Sequence, residues 1–249
     1  MSTLFTGISE LRTVSERGTL NDAAIIAQSG TIAWVGPASE APAADEKVDL
    51  GGRAVLPGWV DSHTHMVFDG DRSAEFEARI SGGSYEAGGI AVTMDATRQA
   101  GTDRLDQLVA DRVAAGRRGG TTTFETKTGY GLNTESEVEA AKVASRHVDD
   151  VTFLGAHLVP PGADAEEYLD EVVGPMLEGV APYVQWIDVF CERGAFNEEQ
   201  SRRVLEAGKQ AGLGVRVHGN QLGEGPGVAL AVELGAASVD HVNYLSDED

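Results

Sequence analysis

The chain of 249 residues carries 19 basic and 40 acidic side chains, a formal net charge of −21, with 41% hydrophobic residues. The apolar share supports an ordinary globular core, whereas the charge argues against partners that need a basic surface, namely nucleic acid and anionic membrane. Cys191 is the only cysteine, which excludes an intrachain disulfide framework and a cysteine-based metal cluster.

No apolar run approaches a membrane span, and the polar N-terminus lacks the charged-then-apolar layout of a signal peptide. A cytoplasmic enzyme is the expectation. Only four of the basic residues are lysines. So acidic a surface suggests a salty cytoplasm and an acidic proteome, since the Debye length falls to about 3 Å at 1 M salt and self-repulsion becomes tolerable.

Residues 1–55 read as a small β unit, the N-terminal part of a β-sandwich domain. Its clearest piece is a hairpin: Ala23–Gln28, the turn Ser29-Gly30, then Thr31–Gly36. A further strand with a glycine bend is expected around Asp49–Pro57. From residue 56 to 249 strands alternate with helical segments, the texture of a parallel sheet. Strands are predicted at Ala54–Val60, Thr121–Thr126, Val151–Ala156, Val184–Cys191, Gly214–His218 and Ser238–His241. Helices are predicted at Arg104–Arg118, Glu135–His147, Ala165–Leu177, Glu198–Gln210 and Gly227–Leu234. Thr134 to Glu137 has the form of a capping box. Six barrel-type strands fall short of the eight that close a (β/α)8 barrel, so an incomplete α/β barrel of about six βα units is expected.

His63 and His65 are two residues apart after an apolar stretch, so on a strand both imidazoles face one side, with Asp61. Paired neutral imidazoles begin a site for zinc or a similar cation. Catalytic groups of a parallel barrel lie at strand C-termini, and five of the six histidines fall there: His63, His65, His157, His218 and His241. His147 sits late in a helix and reads as a solvated surface residue. Alternation also places Glu125 and Lys127 on one face, Asp188 and Glu192 on another, and Arg216 beside His218. Charges buried singly are costly, so Arg216 and Lys127 are expected to meet some of Asp188, Glu192 and Glu125 at the barrel mouth.

The stretches Pro57 to Phe68, Arg72 to Arg79, Glu125 to Leu132, Thr152 to His157 and Asp240-His241 carry a resemblance. They are similar to the metal-dependent amidohydrolase superfamily, and within it closely resemble the imidazolonepropionase family. The resemblance implies a small β-sandwich followed by an amidohydrolase-type barrel, and a site for one divalent ion, Zn or Fe, held by His63, His65 and His218. It places His241 beside the attacking water or the reacting carbonyl, and Arg72, Tyr85, Tyr130 and His157 around the substrate. Arg72 suits the substrate's propionate, because guanidinium grips carboxylate in bidentate fashion. Some relatives carry a glutamate three residues after His218; Gln221 stands here, able to orient a water or the substrate but not to shuttle a proton.

The implied reaction is hydrolytic ring opening of 4-imidazolone-5-propanoate to N-formimidoyl-L-glutamate in histidine degradation, by a homodimer acting on a small anionic substrate. The family's aspartate ligand on the eighth strand and two βα units have no counterpart before Asp249, so the chain is expected to be C-terminally truncated. No lysine for a bridging carbamate ends the fourth strand, which runs Phe190-Cys191-Glu192, so one metal is implied. Two other readings remain open: another cyclic amidohydrolase on the same scaffold, and a non-catalytic fragment with weak metal binding.

Overall fold

Turn chemistry explains the first strands. Ser29 (φ 51°) and Gly30 (φ 77°) both adopt left-handed backbone, the pair a two-residue hairpin loop requires, and Gln28 pairs with Thr31 across it. The computed structural model describes every residue except 72, 74–76, 78, 79 and 82–87, and the chain divides into two units, Met1–Trp59 and Val60–Asp249.

The first unit holds β1 (Ser2–Arg12), β2 (Thr19–Gln28), β3 (Thr31–Pro37) and β4 (Glu46–Val55) in the order β3-β2-β1-β4. β1 runs antiparallel to β2 and parallel to β4. The expected glycine bend is present: Gly51 and Gly52 both have positive φ where the β1–β4 register shifts. Ile8, Leu11 and Ala23 form this unit's small core.

The second sheet runs β10-β9-β8-β7-β6-β5, each strand beside the next in sequence. Its members are β5 (Trp59–Asp61), β6 (Thr121–Lys127), β7 (Asp150–Ala156), β8 (Trp186–Cys191), β9 (Gly214–Gly219) and β10 (Ser238–His241). Pairings from β6 through β10 are parallel. This is the incomplete α/β barrel expected from six strands. One strand differs from expectation: Ala54–Val60 is not continuous, because Ala54 and Val55 end β4 and β5 begins only at Trp59. Pro57 offers no N–H to a ladder, and it falls in the break.

Between the strands lie α1 (Gly88–Ala100), α2 (Thr102–Arg118), α3 (Thr134–Ala144), α4 (Ala165–Glu171), α5 (Glu198–Gln210) and α6 (Gly227–Leu234). Among the described residues no helix is long and apolar enough to cross a membrane. The predicted helix Ala165–Leu177 is interrupted after Glu171 by a wide turn over Val172–Met176 containing Gly174 and Pro175, before a short helix Leu177–Val180. The apolar faces bury Phe153, Ile187, Val189, Val215 and Val217 of the sheet with Leu205 and Leu230 of the helices. α5 packs so close to β8 that a Cβ on Gly208 would stand 2.1 Å from Ile187 Cγ2.

Two local expectations change. The N-cap of α3 is Asn133, whose side chain accepts from the Ser136 N–H, so Thr134 to Glu137 is not a capping box. A full capping box instead starts α5, between Asn197 and Gln200. His147 is not a solvated surface residue: its Nε2 lies 3.0 Å from Asp106 Oδ1, and its side chain is mostly covered.

Candidate active site

His63 and His65 lie just beyond β5, not within it. Their segment is held in extended form by β6 through both backbone and side chains. Lys127 N–H donates to Thr64 O at 2.9 Å, and Met66 N–H donates to Thr126 Oγ1 at 2.8 Å. Thr64 donates from its N–H to Glu125 Oε2 and from its hydroxyl to Glu125 O. β6 therefore aligns the His-x-His segment while supplying Glu125 and Lys127 to the interior.

His63, His65 and His218 each present a ring nitrogen within 4.8 Å of the others. His241 joins them, its ring centroid 5.0 Å from that of His218 and 5.3 Å from that of His63. Adjacent side chains on a strand point to opposite faces. At β10 that rule is broken, because His241 (φ 77°) and Val242 (φ 44°) take left-handed backbone. Asp240 and His241 consequently both approach His63, Asp240 Oδ2 lying 3.1 Å from His63 Nδ1.

Two sequence-predicted substrate residues reach the same place. Tyr130 lies 5.7 Å and His157 5.8 Å from His65, centroid to centroid. His157 Nδ1 is 2.8 Å from Gly129 O, which ties the end of β7 to the loop carrying Tyr130. That loop is anchored on Glu137, fully buried, whose carboxylate accepts from the N–H groups of Gly129, Gly131 and Leu132. Arg72 and Tyr85 lie outside the described residues.

Beneath the histidines sits Lys127, with no exposed side-chain surface. Its Nζ is 3.0 Å from Glu125, 3.2 Å from Asp188 and 3.3 Å from Asp240. The expected pairing of Lys127 with Asp188 and Glu125 is present. Arg216 also meets Glu125, at 2.9 Å, but with Trp186 under its guanidinium and Asp150 beside it. β9 pairs Arg216 with Ser238 and His218 with Asp240, so Arg216 lies a layer below the mouth. Glu192 takes neither cation: its oxygens accept from the N–H groups of Arg193, Gln221 and Leu222, fixing the loop after His218. Asp61 is exposed and belongs to neither group able to hold a metal among the described residues.

The electrostatics follow from this packing. Loss of water, reinforced by His157, His218, His63 and Lys127, holds the His65 pKa well below the ordinary imidazole value. Burial and the rings of His218 and His63 lower His241 to about 4, so it is neutral at physiological pH. Burial works against charge on Lys127 and on Asp188. Yet Asp188, Glu125 and Asp240 raise the Lys127 pKa, while His218 and Lys127 depress that of Asp188.

The donor set fits a divalent ion such as zinc. His65 Nδ1 and His218 Nε2 are buried without a hydrogen-bond partner, a costly state for such atoms and the one a metal ligand requires. Asp188, His218 and Asp240 make a second three-donor group. There the Lys127 ammonium already supplies the positive charge.

Lys127 and Glu125 were legible as interior charges, whereas Asp240 and Glu137 were missed as site residues. Their only sequence signals are an aspartate beside His241 and a carboxylate shortly after a Gly-Tyr-Gly loop.

The sequence is similar to imidazolonepropionases. That of Paenarthrobacter aurescens is 65% identical over 249 residues, covering 100% of this chain and 61% of the relative. That of Saccharopolyspora erythraea is 63% identical, covering 100% of this chain and 64% of the relative. That of Streptomyces griseus is 52% identical, again over 100% of this chain and 64% of the relative. The chain thus spans roughly three fifths of the length of these curated relatives. No protein-family model matches. Among solved structures, an amidohydrolase superposes with a TM-score of 0.65 at 17% identity, covering 100% of this chain and 62% of the other. A Xaa-Pro dipeptidase gives 0.61 at 16% identity, covering 96% and 61%. At such identities these likenesses establish the fold alone.

Proposed function

Because the chain belongs to the imidazolonepropionase family, we propose that it carries the metal-binding side of a site that opens 4-imidazolone-5-propanoate to N-formimidoyl-L-glutamate. The observation that carries this reading is the convergence of His63, His65 and His218, with two buried ring nitrogens lacking any other partner.

His63, His65 and His218 would hold one Zn or Fe ion. When bound, a divalent ion supplies acidification of water to a pKa of about 7 and charge stabilisation at the carbonyl. Hydrolysis forms a C–O bond at the carbonyl carbon, breaks the C–N bond, and moves one proton to the departing nitrogen. His241 is neutral near pH 7 and stands beside His63 and His218, so its free ring nitrogen can accept a hydrogen bond or a proton there. Gln221, whose backbone is fixed by Glu192, would orient the water or the substrate through its amide. Tyr130 and His157 would form one wall of the substrate pocket, and Tyr85 would complete it. Arg72 would bind the propionate.

The net charge of −21 supports a small-molecule substrate over nucleic acid. The proposal places the enzyme in the cytoplasm, as a homodimer.

Metal analysis with a ring-opening assay tests the reading. About one equivalent of Zn or Fe per chain is expected, with turnover of the imidazolone that His218→Ala abolishes. A chain with its metal bound that leaves the ring intact would refute the catalytic part.

A further inference from the structure

Two of the three clustered histidines have an aspartate at Nδ1, hydrogen-bonded at His218 and in ion-pair distance at His63, and both aspartates lie beside one lysine. Asp188 Oδ2 lies 2.9 Å from His218 Nδ1, and Asp240 Oδ2 lies 3.1 Å from His63 Nδ1. Lys127 Nζ lies 3.2 Å and 3.3 Å from the same two oxygens. Three strands meet at this ammonium, since Lys127 ends β6, Asp188 is on β8 and Asp240 on β10. We propose that Lys127 is a positioning residue for the metal centre, which fixes the tautomer of His63 and His218 by holding Asp240 and Asp188 in place beside their Nδ1 atoms.

An imidazole that donates its Nδ1–H to a carboxylate keeps its lone pair on Nε2. His218 Nε2 is the buried atom without a partner, as this tautomer demands. The arrangement depends on both aspartates keeping their positions. Two carboxylate oxygens converge on one ammonium, and without it their mutual repulsion would drive one of them away from its histidine. Its histidine would then be free to adopt the other tautomer or another rotamer. Lys127 is fully buried and has no exposed route to another partner, so its charge is committed to this cluster.

Formal charge supports the same role. Lys127 faces Glu125, Asp188 and Asp240, and Arg216 faces Glu125 and Asp150, two cations against four anions. The cluster keeps a net negative charge beneath the histidines. That residual charge favours a divalent ion above, while the ammonium occupies the place a second ion would need.

The inference rests on the metal-site reading, and one set of measurements separates the two. In the metal-free chain labelled with 15N-histidine, long-range 1H–15N spectra are expected to show His63 and His218 as Nδ1–H tautomers. Either ring found as Nε2–H overturns the proposal, with no variant involved. In Lys127→Met, checked for native circular dichroism, zinc affinity in a chelator competition should fall 10- to 100-fold, by analogy with other outer-shell changes. The Nε2–H form should appear at the same time. Lys127→Arg, which keeps the charge, should recover part of the affinity. Should Lys127→Met fail to fold, Asp240→Asn breaks one arm and leaves Lys127 paired with Asp188 and Glu125. It should weaken zinc binding and alter His63 but not His218. Zinc affinity within twofold of the parent in whichever variant folds overturns the role of Lys127. A parent chain that binds no metal would instead refute the metal-site reading.

Discussion

Asp188 binds His218 twice: its Oδ2 lies 2.9 Å from the ring Nδ1, and its Oδ1 accepts from the His218 backbone N–H at 3.1 Å. One carboxylate thereby sets the orientation of a candidate ligand and the position of the strand that carries it. Replacing Asp188 with asparagine preserves size but removes the charge that stabilises the Nδ1–H tautomer. Metal affinity should drop by about 10- to 100-fold. Equilibrium competition against a chromogenic chelator reads this directly, and an unchanged affinity would contradict it.

Glu137 is the acceptor for three backbone donors in the loop that carries Tyr130. Each buried donor left without a partner costs about 1–3 kcal/mol. Glu137→Ala should therefore destabilise the chain by several such increments, whereas Glu137→Gln, which keeps one acceptor oxygen, should lose less. Amide exchange offers the site-specific check. Protection at Gly129, Gly131 and Leu132 should fall in Glu137→Ala before protection in β8 does.

The contact between α5 and β8 leaves no room at Gly208. Gly208→Ala should cost about 1–3 kcal/mol by overpacking, although alanine is the better helix former. Adding Ile187→Ala removes the atom the new methyl strikes. The double variant should then be less destabilised in urea melts than the two single effects summed. Strict additivity would mean that the crowding is relieved elsewhere.

Self-repulsion at a net charge of −21 should make stability depend on salt. Raising KCl from 0.1 M to 1 M shortens the Debye length from about 10 Å to about 3 Å. The thermal midpoint should rise over that range, and full stability without added salt would count against adaptation to a salty cytoplasm.

Much of the scaffold was legible because its signals are local. The Ser29-Gly30 hairpin, five of the six barrel strands and the helix Glu198–Gln210 follow from turn chemistry and apolar periodicity. Where reading failed, a competing local interaction or a distant partner decided. Asn133 took the cap from Thr134, freeing Glu137 to fold back onto the Gly129 to Leu132 backbone. Pro57 lies where β4 is separated from β5, and Asp106, 41 positions away in sequence, covers His147. Glu192 looked like a partner for a cation but satisfied three N–H groups instead.

The order of strands and helices, the acidic surface and the presence of histidines at strand ends were determined by the sequence alone. Period-two and 3.6-residue patterns and turn residues act over a few neighbours, which is as far as such signals reach. The site itself was decided only by the tertiary structure. Nothing in the spacing of Lys127, Asp188 and Asp240 announces that three strands bring them within 3.3 Å of one ammonium. Nor does it announce the left-handed turn at His241 that brings Asp240 and His241 together on His63. Such contacts are set by strand register and by the cost of leaving a buried charge unpaired, and both depend on the whole sheet.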